Sequence, residues 1–113
     1  MDLGESLFGR FPVKRAVVSE ATIDDHEIVA AVTGKSIVLM NVVLKVANGQ
    51  TLTWKSGDGG TALSGAMVFA TSDLLYSATD SEQGLLQTAP GVGLFLALAA
   101  ATQVSGHISY CEV

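Results

Sequence analysis

Charge is scarce in this chain, and positive charge is scarcest. Only 15% of its 113 residues are Asp, Glu, Lys or Arg, against about 25% in an ordinary globular domain. Six Lys and Arg are scattered among eleven Asp and Glu, for a net charge of −5. Six dispersed cations build no phosphate-tracking patch, which argues against nucleic acid as a partner. Anionic membrane surfaces repel such a chain for the same reason. The longest apolar run, Leu94 to Ala101, is far short of the ~20 residues a spanning helix needs. The N-terminus, Met1-Asp2-Leu3-Gly4-Glu5, lacks the basic and apolar regions of a secretory signal. A single cysteine, Cys111, leaves no internal disulfide and points to folding in a reducing cytoplasm. Aromatic residues make up 6% of the chain, which leaves little to stack on sugars.

What is present is apolar. Hydrophobic residues account for 49% of the sequence. A chain of this length fits one domain and buries roughly two-thirds of its unfolded surface, so it folds without a metal or disulfide. Too little charge remains to cover the outside. Part of the surface is therefore expected to be apolar and covered by other proteins, most simply by copies of the chain.

Residues 1–12 stand apart as an N-terminal arm, and residues 13–113 as one β-sandwich domain. The arm holds Leu7, Phe8 and Phe11 among Gly4, Gly9 and Pro12, without a sustained period. Two readings of it stay open: docking on a partner, or capping the open end of its own sandwich. From Val13 onward the texture is strand and turn. Arg15 to Thr22 and Glu27 to Thr33 read as strands, with turn residues Thr22-Ile23-Asp24-Asp25 between them. Gly34-Lys35 is a tight turn. Ser36 to Val46 is a third strand, and Ala47-Asn48-Gly49 carries an Asn-Gly hairpin signal. In Gln50 to Lys55, Leu52 and Trp54 alternate inward against Thr51, Thr53 and Lys55. Ser56 to Gly65 is a Gly-rich loop. Short strands follow over Ala66 to Ala70, Leu74 to Ser77 and Gln83 to Thr88. Leu94 to Ala100 favours helix by propensity, but its length and flanking glycines favour strand. In the last strand, Gln103 to Val113, Val104, Ile108 and Tyr110 share one face; Ser105, His107, Ser109 and Cys111 share the other. The fold class is all-β: an antiparallel β-sandwich or jelly-roll-like barrel of about eight short strands.

Two strands are apolar on both faces. In the third, Val38, Met40, Val42, Leu44 and Val46 form one face, and Ile37, Leu39, Asn41, Val43 and Lys45 the other. Leu94 to Ala100 behaves alike. A free-standing antiparallel sandwich shows one polar face per strand, so Ile37, Leu39 and Val43 are candidate interface residues, with Leu7, Phe8 and Phe11 of the arm. The chain is expected to form a homo-oligomer.

Motifs of chemistry dissolve on inspection. Thr33-Gly34-Lys35-Ser36 ends like a phosphate loop, but Val29 stands where that loop needs its first glycine, and a β-branched run follows. Asp24-Asp25-His26-Glu27 is the densest polar cluster, yet neighbours on a strand point to opposite faces, so it reads as a solvated turn. Gly57-Asp58-Gly59-Gly60 offers backbone N–H groups to an anion, which Asp58 repels. Cys111 has no basic neighbour to make a thiolate. No G-x-S-x-G elbow is present, and Trp54 reads as core. No catalytic, metal or cofactor residue is assigned, and the chain is read as a non-enzyme.

The segments VVSEAT, EIVAAVTGKSIVLMNVVL, TLTWKSGDGGTALSGAM and QTAPGVGLFLALAAATQVSGHISYCEV together resemble a family of short tailed-bacteriophage virion proteins. Each alone is weak; the combination is specific, and it runs from about Ala16 to the end. The resemblance implies a β-sandwich decoration (cement) protein on the capsid, made in the host cytoplasm. Its implied partners are the major capsid protein and itself, as a trimer. The sequence departs from that pattern over Ala66 to Thr88, which lacks a Gly- and Pro-rich stretch. A receptor-binding fibre or tail-tip domain is the alternative, and a small-molecule-binding β-barrel stands further back.

Overall fold

Along Gln50–Ser56 side chains point inward and outward in turn: Gln50, Leu52 and Trp54 are buried, and Thr51, Thr53 and Lys55 are half-buried on the other face. The same period of two, imposed by the pleat, recurs through ten strands. The computed structural model describes residues 11–79, 81 and 83–113. The strands are β1 (Lys14–Glu20), β2 (Asp24–Val29), β3 (Ile37–Val46), β4 (Gln50–Ser56) and β5 (Thr61–Ala62). They continue with β6 (Met67–Phe69), β7 (Leu74–Ala78), β8 (Leu86–Gln87), β9 (Leu94–Leu98) and β10 (Val104–Glu112). There is no helix among the described residues.

Two antiparallel sheets pack face to face. The first runs β1-β10-β3-β7, with β8 pairing with β3 beyond β7. The second runs β2-β9-β4-β5, with β6 pairing with the other end of β4. In each sheet the fourth position is shared by two short strands. Counting each such pair as one strand leaves the order of a jelly roll, in which every connection crosses between the sheets except the one from β4 to the β5/β6 pair. Val18, Leu44, Val46, Val104 and Ile108 of the first sheet meet Leu52, Trp54, Leu94, Leu96 and Leu98 of the second in one core. Tyr110 packs against its edge.

This topology corrects two expected hairpins. Ala47-Asn48-Gly49 joins β3 to β4, which lie in opposite sheets, and neither Asn48 nor Gly49 has positive φ. Gly34 does make a tight turn, at φ 74°, with the Lys35 N–H donating to the Val32 carbonyl at 3.0 Å. That turn too carries the chain across, from β2 to β3. Asp24 to Glu27 lie on β2 rather than in a turn. The Gly-rich loop contains β5, which the sequence reading missed. Leu94–Leu98 is strand, because both its neighbours in register, β2 and β4, supply the hydrogen bonds a helix would have to make internally.

The faces of β3 need a larger correction. Ser109 pairs with Asn41, but Tyr110 pairs with Leu39, so Met40 has no counterpart on β10. One extra residue in one strand reverses the phase of alternation. Ile37 and Leu39 before this bulge face the core together with Val42, Leu44 and Val46 after it. Val38 and Met40 face outward and pack with Cys111, Phe11 and Val113 in a second, smaller cluster. Ile37 and Leu39, 0% and 1% exposed, are core residues and are withdrawn as interface candidates.

Candidate functional site

The outer face of the first sheet is the part of the described surface that the fold leaves unexplained. Register places its residues in rows across four strands. Val17, His107, Val43 and Tyr76 form one row. Ser19, Ser105, Lys45 and Leu74 form the next, and Arg15, Ser109, Asn41 and Ala78 lie on the other side. Of the six large hydrophobic residues most exposed among the described residues, three stand in these rows: Val17, Leu74 and Tyr76. Val17 is 80% exposed, Tyr76 66% and Leu74 62%. Together they leave on the order of 400 Å² in water, within the range of the largest apolar patch of an ordinary monomer, which is often functional.

Alternation explains why these residues point out. Ala16 and Val18 of β1, Val42 and Leu44 of β3 and Leu75 of β7 pack into the core, so the residues between them face solvent. The face also carries two exposed cations, Arg15 and Lys45, beside the exposed His107, with no carboxylate in the three rows. A shallow depression of about 240 Å³ opens at its end, walled by Lys45, Ala47, Ser72, Gln103 and Ser105. In the row on the other side, the Asn41 side-chain oxygen is buried without a hydrogen-bond partner among the described residues.

Of the candidate interface residues, Val43 lies in the central row of this face, half-buried between His107 and Tyr76. Phe11 lies on the same side of the sheet, against Val38, Met40 and Cys111; the Cys111 thiol donates to its carbonyl at 3.8 Å. Leu7 and Phe8 lie outside the described residues. The reading of the sequence missed Val17, Leu74, Tyr76 and His107. Their signal was an apolar side chain in the solvent phase of an alternating strand, and only the cross-strand register shows that they adjoin.

The polar groups that looked chemical are occupied within the chain. The Asp25 carboxylate takes the Gly59 N–H at 2.7 Å and the Lys55 ammonium at 3.2 Å. The Gly-rich loop does present an N–H to an anion, and the anion is Asp25. That hydrogen bond, and then Lys55, holds Asp25 below the usual carboxylate range. His26 sets Nδ1 2.9 Å from Glu20 Oε2 and Nε2 2.7 Å from the Thr22 carbonyl, tying the end of β1 to β2. Burial pushes the Cys111 thiol up, so it stays protonated and unreactive. His26 and His107 sit on different sheets, and among the described residues no three of His, Cys, Asp and Glu come together. No helix among the described residues is long and apolar enough to cross a membrane.

Compared with family models, curated proteins and solved structures, the chain matches none of them.

Proposed function

We propose that this chain is a capsid decoration (cement) protein of a tailed bacteriophage, which binds the outside of the major capsid shell and stabilises it. The observation that carries the reading is the uncovered outer face around Val17, Val43, Leu74 and Tyr76. A decoration protein needs a stable fold and cohesive contacts with its own copies and with the shell. An apolar sheet face of this size supplies such a contact. The jelly-roll order lends less weight, since it recurs in viral capsid proteins, lectins and cupins alike. In this reading the protein resides on the virion surface as a homo-oligomer. The arm, with Leu7 and Phe8, docks on the capsid protein or a neighbouring subunit.

Electron cryo-microscopy of virions from the phage that encodes the chain tests the proposal. The expected result is sandwich-shaped density of 11.7 kDa per copy at capsomer junctions. Density at the tail would move the assignment to the receptor-binding fibre, and a particle without it would overturn both.

A further inference from the structure

We infer that two copies of this chain pair edge to edge along β1, about a two-fold axis through Val17, and so join their first sheets into one. The inference stands on the open edge of β1 and not on the capsid assignment.

Hydrogen bonds fix which way each strand's backbone groups point. The Ala47 N–H donates to the Gln103 carbonyl at 2.9 Å, on the β10 side of β3, and the Val46 N–H to the Asp73 carbonyl at 3.1 Å, on the β7 side. In an antiparallel ladder the direction alternates residue by residue, so Lys45 and Val43 bond β10 through Ser105 and His107. Val104, Gly106 and Ile108 then turn to β1, where they meet Glu20, Val18 and Ala16. The N–H and C=O groups of Arg15, Val17 and Ser19 are left aimed at the open edge. Among the described residues these groups have no backbone partner.

Natural sheets blunt such edges with bulges, prolines, short strands or charges. β1 runs seven residues in unbroken register with β10, without proline. β2, by contrast, is broken by a register shift between Glu27 and Val29, and β5, β6 and β8 have two or three residues each. β7 is also open, but it is five residues long and carries no charge to set a register.

The charges of β1 match when the strand meets itself. Only an axis through Val17 overlaps all seven residues, and it sets Val17 against Val17, Arg15 against Ser19, Ala16 against Val18 and Lys14 against Glu20. No like charges face each other, and opposite charges meet at both ends, which favours the pair. Moving the axis to Ala16 or Val18 shortens the overlap and sets Lys14 against Val18, or Glu20 against Ala16. Lys14 and Glu20 keep room for each other. Among the described residues Lys14 Nζ gives one of its three N–H groups to Glu112, and Glu20 meets His26 through Oε2, leaving Oε1. The contact is isologous and closes at two copies, where the resemblance implies three. It also carries the row of Val17, His107, Val43 and Tyr76 across the axis into its copy, which doubles the width of the outer face.

Sedimentation and amide hydrogen exchange on the full chain test the pairing. Wild type should reach twice 11.7 kDa as its concentration rises to millimolar. The Arg15, Val17 and Ser19 amides should gain protection over the same range, while those of Ala16 and Val18 stay protected throughout. Ser19→Arg sets a cation against each Arg15 and should give monomers. Adding Arg15→Asp turns both clashes into ion pairs and should restore the dimer. Both positions are exposed, so melting temperatures in dilute solution should stay near that of wild type. Tyr76→Lys on β7 should leave the dimer intact. A wild type that stays monomeric at millimolar concentration, a double variant that stays monomeric, or a dimer lost through Tyr76→Lys would each overturn the inference. So would edge amides protected equally at every dilution, which would mean that the chain's own residues 1–10 cover the edge.

Discussion

The two sheets are built to one plan on the inside and to two plans on the outside. Each presents Leu, Val and Ile to a common core, and each splits its fourth strand in two. Outside, the second sheet is the more polar of the two, although Val68, in register with Thr51, is 82% exposed on it. Thr51, Thr53 and Ala97 line its middle, and Lys55 is neutralised by Asp25. On the first sheet's outer face Val17 and Tyr76 stand in water, and among the described residues Arg15 and Lys45 have no ion pair and the Asn41 oxygen has no hydrogen-bond partner. Folding needs only the inner faces. Under the proposed function, it is the first sheet's exterior that meets a partner.

The strongest test of this comparison sits in the middle of the first sheet. Gly106 lies on β10 between Val18 and Leu44, at φ 152°. A Cβ there would stand 1.8 Å from the Val43 carbonyl oxygen. Gly106→Ala must separate β3 from β10, the two longest strands, and is expected to cost roughly 3 kcal/mol or more. Thr53→Val on the second sheet's exterior should stay within about 0.5 kcal/mol. Urea denaturation compares the two, and equal midpoints would remove Gly106 as a special position.

Gln50 comes next, as the clasp between the sheets. Its side-chain oxygen accepts from the N–H groups of Ala99 and Ala100, and its amide donates to the carbonyls of Ala100 and Thr102. These lie in the turn that leads β9 of the second sheet into β10 of the first. Gln50→Leu keeps the volume and strands those groups in a part-buried site, at an expected cost of about 2–3 kcal/mol. A melting temperature equal to that of wild type would show that water replaces the clasp.

The exteriors themselves should separate association from stability. Val17→Asp is expected to change folding stability by no more than about 1 kcal/mol, because the side chain is solvated in the free chain. It should nevertheless abolish self-association in sedimentation. Thr53→Asp, at the matching place on the second sheet, should leave association unchanged. If both substitutions act alike on sedimentation, the two exteriors do not differ in role.

The smallest effect belongs to Asp25. Its folded pKa is depressed, by the Gly59 N–H first and then by Lys55. Its contribution is then fully present above the unfolded value of about 3.9 and is lost as pH falls through the lower folded value. Asp25→Asn should cost about 1 kcal/mol at pH 7. That deficit should hold down to about pH 5 and shrink steadily below about pH 4. A deficit independent of pH from 7 to 2 would place the loss in packing, not in charge.

Strand content and most inward faces were legible in the sequence, because the pleat converts alternation directly into burial. Leu52, Trp54, Val104, Ile108 and Tyr110 were read as inward from spacing alone, and they pack in or against the core. The Asn48-Gly49 hairpin failed for an equally physical reason. A turn signal reports that the chain reverses, not which sheet the next strand joins. The face of β3 failed at Met40, where one inserted residue reversed the phase. Nothing in IVLMNVVLKV marks that residue, because both phases are apolar there.

By itself, then, the sequence determined that this chain is all-β, poor in charge and apolar beyond the needs of one core. Those properties are sums and periods over neighbouring residues, and they do not depend on which strand meets which. Only the tertiary structure decided that Val17, His107, Val43 and Tyr76 share a row, that Ile37 and Leu39 are core, and that Asp25 fills the Gly59 loop. Each of these joins residues from β1, β10, β3, β7 or β2 and a loop far apart in the chain. Cross-strand register and β-bulges are settled by long-range hydrogen bonding and packing, which leave no local trace in the order of residues.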